Sequence, residues 1–347
     1  MEPGLSFWLR YVEAEGGLVE PRADTAVAVL PDHLQERFDL PEDVAVTADA
    51  ETAREDGALL LTAGHPVLDT AADSALDRGD VGCRRLAWPS SQPPSDGTLL
   101  ERIRDQLPVD HGKVDLDGAS VRVYLPVLEF GALVNYTLSF DDRFSEREDV
   151  RVDAVTETPL PDAAMPGRMP EPEAAPDLNP GELPCDLESA VAAAHDAVAQ
   201  RAVRRQETLA KTVRTGQVVE VERTEAYYDA ALESIARRAD KANPERRAAY
   251  EAQADATRVE RARRLAEVEE KFRPSFTIRP FRLHLLLVPA LRVPVVIRRG
   301  PRSYPLTLSW LLGSRRLAAA PCSHCGTVAP LVATRHRLGC RDCLSAR

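Results

Sequence analysis

Four cysteines near the C-terminus, reading CSHC, fourteen residues, then CRDC, force the last part of the chain to fold back on a single point. Cys322, Cys325, Cys340 and Cys343 form two CxxC pairs, and each pair can make a tight knuckle that offers two thiolates to one metal ion. Gly326 follows the first pair, where a positive backbone angle is often required. The intervening Thr327–Leu338 segment is long enough for a two-stranded ribbon. Four sulfur ligands complete a tetrahedron, so the spacing predicts a structural Zn2+ site with no open position for chemistry. Two disulfides are the competing reading, disfavoured in a cytoplasmic chain because thiols stay reduced there. His324 and His336 could replace a cysteine, but four cysteines make that unnecessary. Cys83 and Cys185 are left over as unpaired thiols.

Composition divides the remainder. Residues 1–155 mix short apolar runs with turn residues and read as an acidic α+β domain. Its strands are expected at Thr25–Leu30 and Ala58–Thr62, and as a pair, Ser120–Phe130 and Ala132–Phe140, separated at Gly131. Helices are expected at Pro66–Leu76 and Thr98–Leu107. Residues 156–185 form a linker, because eight prolines between 156 and 184 remove backbone donors and forbid a regular helix. From Asp186 the apolar residues recur at three and four: Leu187, Val191, Ala194, Val198, then Tyr228, Leu232, Ile235, Ala239. Val218, Leu232 and Ala239, like Val221, Tyr228 and Ile235, keep a heptad register. Asn243-Pro244 supplies a cap and a first-turn proline for a second helix, carrying Tyr250, Ala254, Arg261, Leu265, Val268 and Phe272 until Pro274 stops it. Residues 186–273 thus predict an antiparallel helical hairpin, a coiled coil, with a break at Thr215-Gly216. Residues 274–347 read as a basic, β-rich domain ending in the zinc ribbon. Phe276–Pro289, Leu291–Arg298 and Tyr304–Leu312 are its strands, their prolines implying edges or bulges. The fold class expected is α+β.

The net charge of −11 hides a division. Residues 1–200 carry 15 basic and 40 acidic side chains, a net −25, whereas residues 201–347 carry 29 and 15, a net +14. Residues 274–347 hold twelve arginines and one acid, Asp342. Such asymmetry points to an anionic partner for the basic end, or to neutralisation of one half by the other within the molecule. Arg298, Arg299, Arg302, Arg315, Arg316, Arg335 and Arg337 are the candidate phosphate contacts, each a charge-assisted donor. Few aromatics accompany them, so base-specific readout is not expected. Lysine occurs four times against forty arginines, so arginine identity carries less weight than where charge sits. No stretch reaches the roughly 20 apolar residues of a membrane span, and the acidic N-terminus is unlike a secretory signal. A cytoplasmic protein is expected.

Catalytic signatures are missing. The sequence contains no GxxxxGK[ST], GxGxxG, HExxH or GxSxG. In LLTAGHPVLD, Leu60–Asp69, a histidine near an aspartate could act as base or ligand. The structural reading is preferred, with His65-Pro66 at the start of a helix.

The order of features resembles the region C-terminal to the motor in bacterial RapA-type and other Snf-type helicases. An acidic α+β part with an apolar-x-HP-apolar stretch matches Leu60–Leu68, a strand pair matches Ser120–Phe140, and long charged helices match Asp186–Phe272. The chain lacks the motor lobes, and the four-cysteine tail departs from that pattern. The resemblance implies an accessory piece working beside a helicase-type ATPase or on nucleic acid, without helicase activity. Two functions follow. The first is a non-enzymatic accessory protein of DNA or RNA metabolism, touching phosphates with its basic zinc-bearing end. The second is a protein–protein scaffold in which zinc only staples the fold and the coiled coil meets a protein partner. An enzyme of unrecognised type is a third, less favoured reading.

Overall fold

In a computed structural model of the chain, the described residues are 2–139, 143–165, 172–175, 179, 181 and 183–345. They form two compact units, Met1–Asp80 and Val81–Arg347, both mixed α and β.

In the first unit, helix α1 (Pro3–Ala14) is capped by the Glu2 carboxylate, which accepts from the Leu5 amide at 2.9 Å. The sheet runs β1 (Leu18–Pro21), β2 (Ala26–Val29), β3 (Asp43–Thr47), β4 (Leu59–Leu60), antiparallel except for the parallel pair β3–β4. Helices α2 (Asp32–Phe38), α3 (Ala50–Asp56) and α4 (Pro66–Arg78) complete it. Ala26 and Ala28 alternate inward along β2, and with Trp8, Val12, Leu34, Val46 and Leu61 they form the core. The expected strands are therefore present, shortened at their ends, and the helix at Pro66 runs two residues past its expected end.

The second unit contains β5 (Asp80–Arg85), which begins at the boundary, α5 (Asp96–Gln106), β6 (Val109–Asp110), β7 (Lys113–Leu116), β8 (Val121–Thr137), β9 (Arg143–Asp153) and β10 (Thr158–Pro159). These are followed by β11 (Glu173–Ala174), α6 (Leu187–Asp240), α7 (Pro244–Lys271), β12 (Ser275–Arg299), β13 (Arg302–Leu311), β14 (Arg316–Leu317), β15 (Leu331–Ala333), β16 (Leu338–Cys340) and α8 (Arg341–Ser345). Its centre is β12, a strand of 25 residues. Residues 275–289 pair with β8, which pairs with β9; from Ala290 onward the opposite edge pairs with β13. Val295–Arg298 also pair with β7.

Three expectations are corrected here. The strand pair around Gly131 is one continuous strand. Gly131 sits opposite a bulge at Pro280/Arg282, and a Cβ there would lie 3.1 Å from Arg282 Cβ, Asp149 Oδ1 and Phe281 Cζ. The glycine marks a close approach of three strands instead of a turn; Phe140, the expected end of the second strand, lies outside the described residues. Likewise Phe276–Pro289 and Leu291–Arg298 are one strand, Pro289 falling where the pairing partner changes from β8 to β13. Finally, the segment boundaries at 155 and 274 are not those of the compact units, because β8 from the first segment and β12 from the last share one sheet.

The linker expectation is also corrected where it is described. β10 pairs with β9 and β11 with β5, while Leu160, Ala164, Met165 and Ala175 are buried. Proline prevents a helix there, but short edge strands and buried apolar side chains still tie the segment down. Positions 166–171, 176–178, 180 and 182 lie outside the described residues.

Helix α6 lies on the β8–β9 face through Ala190, Ala194, Val198 and Ala202, with Val191 partly buried beside them. Alanines at the contact let helix and sheet approach closely, and Leu187, on the same face at the start of the helix, is half-buried. Arg201 bridges to Glu148 at 3.3 Å and to Asp162 at 2.9 Å. Beyond the sheet α6 packs on α7, with Arg261 bridging to Glu225 (3.3 Å) and Asp229 (3.4 Å). Ile235 of α6 and Val268 of α7 are buried, whereas Val218 is 48% exposed, against its expected heptad role. α6 is unbroken through Gly216. One helical glycine costs only about 1 kcal/mol relative to alanine, too little to interrupt a long helix with intact turns on both sides.

Asp153, 2% exposed at the end of β9, accepts from the amides of Val155 (2.9 Å) and Thr156 (3.3 Å). Burial pushes its carboxyl above the ordinary range. With a raised folded value, the stability linked to this group is fully present below the unfolded pKa and is lost as pH rises through the folded one. Asp153→Asn keeps an acceptor for both amides and removes the buried charge. It is expected to raise Tm at neutral pH and to leave it unchanged in acid, where Asp153 is itself protonated. A lower Tm at neutral pH would show instead that the carboxylate is stabilised by a charged neighbour.

Candidate metal centre

The first knuckle forms because Gly326, at φ +70°, turns the chain so that its amide donates to the Cys322 carbonyl at 2.8 Å. The Cys322 amide donates to the Thr327 carbonyl at 3.0 Å, and Pro321 bridges Val328. The second pair is held differently. Cys340 ends β16, and Cys343 lies in the short helix α8. The ribbon expected between the pairs is present as the antiparallel strands β15 and β16. Thr334 closes their turn, its hydroxyl accepting from the amides of His336 (3.2 Å) and Arg337 (3.0 Å).

The four sulfurs all lie within 4.8 Å of one another, with Cys325 and Cys340 at 3.6 Å. A tetrahedron with metal–sulfur bonds of about 2.3 Å places its sulfurs about 3.8 Å apart, so the donor set fits one ion of that size. All six cysteines are free of disulfide bonds. Amides reinforce the arrangement: Cys340 N–H donates to Cys322 Sγ at 3.2 Å and Cys343 N–H to Cys340 Sγ at 3.5 Å.

Crowding four thiols separates their proton affinities. The hydroxyl and amide of Thr327 lower Cys325 to about 6. Burial opposes ionisation of Cys322, but the amides of Cys340, His324 and Cys325 together hold it below the usual thiol range. The neighbouring sulfurs of Cys325 and Cys340 push Cys343 up to about 12. Four thiolates at this spacing repel one another strongly, and a divalent metal at their centre offsets half of their charge.

The cluster is not an appendage. Cys322 and Cys340 are buried in the same apolar core as Leu99, Ile103, Leu291, Val293, Ile297, Trp310 and Leu331. β15 also pairs in parallel with β6, far away in sequence. Arg341, between the second pair of cysteines, donates to Asp110 at 2.7 Å.

The seven candidate arginines divide. Arg298, Arg299 and Arg302 surround the β12–β13 turn, and Arg335 and Arg337 flank the β15–β16 turn. The two turns touch: Arg299 donates to the Ala333 carbonyl, and the Tyr304 hydroxyl to the Thr334 carbonyl at 2.8 Å. Arg315 and Arg316 lie at the far end of β13, about 30 Å along the strand. Arg337 is occupied, donating to the Cys343 carbonyl at 2.8 Å and so bracing the second knuckle. The sequence did not reveal Lys113. It pairs across the sheet directly opposite Arg298, as Arg299 does opposite Arg302. Like charges facing one another on adjacent strands cost stability, a cost that Asp115, 3.8 Å from the Lys113 ammonium, offsets in part.

His324 and His336 stand outside the four-sulfur cluster, lining with Tyr304 and Arg337 a cleft of about 270 Å³ beside it. His65 caps α4, its Nδ1 accepting from the Val67 amide at 3.3 Å with Pro66 at the first turn. That is the structural role read from the sequence. Among the described residues, no helix is long and apolar enough to cross a membrane. No protein-family model matches the chain, and no curated protein matches it.

Proposed function

We propose that the protein is a non-catalytic, cytoplasmic accessory factor of DNA or RNA metabolism whose C-terminal end, closed on one structural zinc ion, binds nucleic-acid phosphates. The observation that carries this reading is the like-charged surface beside the metal centre. Arg298, Arg302 and Arg335 are exposed and make no ion pair among the described residues. Lys113 and Arg299 stand opposite two of the cations on the same sheet. A surface that concentrates exposed cations without matching acids is suited to an external polyanion. Zinc fits the ligand set because soft thiolates favour it and a four-sulfur site leaves no position for a substrate. The α6–α7 pair, as an antiparallel coiled coil, is a docking element for a helicase-type ATPase, in keeping with the resemblance to RapA-type accessory regions.

The second reading is a scaffold in which zinc is purely structural and the coiled coil carries the contact with a protein partner. It is favoured by the participation of Cys322 and Cys340 in the core, which gives the metal a sufficient structural role. Fluorescence anisotropy of labelled DNA and RNA across salt concentrations separates the two. The triple variant Arg298→Gln, Arg302→Gln, Arg335→Gln is expected to weaken binding at low salt. It should also reduce the slope of log affinity against log salt by about 3, close to 0.9 per lost phosphate contact. No binding by the unaltered protein at low salt would sink the nucleic-acid reading and leave the scaffold.

A further inference from the structure

The connection between α6 and α7 holds a second concentration of positive charge, remote in sequence from the metal centre. Arg237, Arg238, Lys241, Arg246 and Arg247 lie within eleven residues, and all five are exposed. None makes an ion pair among the described residues. The other arginines of α7 contrast with them: Arg258 pairs with Asp255, Arg261 with Glu225 and Asp229, Arg263 with Glu260 and Glu267, and Arg264 with Glu267. Within the tip only Asp240 and Glu245 offset the five cations. Arg246 and Arg247 also occupy the first turn of α7, the end of a helix that disfavours positive charge. Arg237, Arg238 and Lys241 end α6, where a helix favours positive charge, so the helix dipoles account for three of the five cations and not for the pair on α7.

The chemistry of the tip indicates its partner. Between Ala236 and Ala249 there is no aromatic or large aliphatic side chain. Protein interfaces draw most of their energy from such anchors seated in pockets. A phosphodiester backbone needs only spaced cations, and its binding is paid back by release of condensed counterions. α7 is about 42 Å long, so the tip stands roughly that far from Phe272, where the helix ends beside the sheet strands.

We propose that the α6–α7 tip is a second nucleic-acid contact, in which Arg237, Arg238, Lys241, Arg246 and Arg247 bind the phosphate backbone of a duplex without reading its bases. It extends the nucleic-acid reading above to a surface that does not include the C-terminal arginines, and separate variants keep the two apart.

The test uses the full chain and fluorescence anisotropy with labelled DNA duplex, RNA duplex and polyglutamate over a range of salt. The variant R237Q/R238Q/R246Q/R247Q should stay folded, because glutamine and arginine have similar helix propensities, and circular dichroism checks this. Its affinity for duplex is expected to fall at least tenfold at low salt, with the log–log salt slope reduced by about 3 to 4. The matching lysine variant keeps the charge and should bind as the unaltered protein does. Unchanged affinity and slope in the glutamine variant overturn the inference, even if the Arg298/Arg302/Arg335 variant loses binding. The reverse result upholds the tip and refutes the C-terminal site. Absence of duplex binding by the unaltered chain overturns it, as does binding to polyglutamate equal to that of duplex at the same salt, which would assign the tip to an acidic protein. Preference for one duplex over the other decides between DNA and RNA.

Discussion

Replacing Cys340 with serine is expected to abolish metal retention and to unfold the last 25 or so residues of the chain. Serine is a poor ligand for a soft site, and three thiols hold a thiophilic ion much less tightly than four. Cys340 does more than ligate. Its amide donates to Cys322 Sγ, its sulfur accepts from the Cys343 amide, and its side chain is 2% exposed within the core. Structural zinc is worth about 10–16 kcal/mol in small zinc peptides. Even a third of that, about 4 kcal/mol, corresponds to a fall of roughly 10 °C in Tm for a unit of this size. Elemental analysis should read one metal ion per chain before the substitution and almost none after it, and a chelator should reproduce the loss of stability in the unaltered protein. Retention should also weaken as pH falls, since protons compete for the thiolates. Undiminished metal content in Cys340→Ser would exclude the four-cysteine site.

Trp310→Ala is expected to destabilise the second unit by about 3–5 kcal/mol and to loosen the metal as well. Trp310 is fully buried, pairs opposite Leu291 on β12 and Leu317 on β14, and lies in the apolar cluster that contains Cys322 and Cys340. Truncation would open a cavity beneath the ribbon, where Leu331 and Ala333 of β15 are also buried. Thermal unfolding measures the first effect, and the rate of metal loss to a chelator the second. The indole N–H makes no hydrogen bond among the described residues, so Trp310→Phe should be much milder, losing volume without stranding a partner. If Trp310→Ala lowered Tm but left the rate of metal loss unchanged, the knuckles would be independent of the core.

Some of this was legible because local rules dominate. Asn243-Pro244 announced a helix start, and α7 begins at Pro244 with the Asn243 side chain accepting from the Arg246 amide at 3.0 Å. His65-Pro66 did the same for α4. Other features were misread because the same residue serves opposite ends. Gly131 looks like a turn, yet it relieves a collision between three strands; Pro289 looks like a strand end, yet it marks a change of partner.

The sequence by itself determined the four cysteines and their pairing into two knuckles, the proline-bounded helices and the basic character of the C-terminal end. Each is a property of spacing or composition within a few dozen residues. Only the tertiary structure decided that Lys113 faces Arg298, that Arg337 is spent on the Cys343 carbonyl, and that Arg315 and Arg316 lie at the other end of β13. It also decided that β8 and β12 form one sheet although about 150 residues separate them. The physical reason is that strand pairing satisfies backbone donors and buries apolar faces over any sequence separation, at a loop-closure cost that grows only slowly with length. A linear reading has no access to which partner wins that competition.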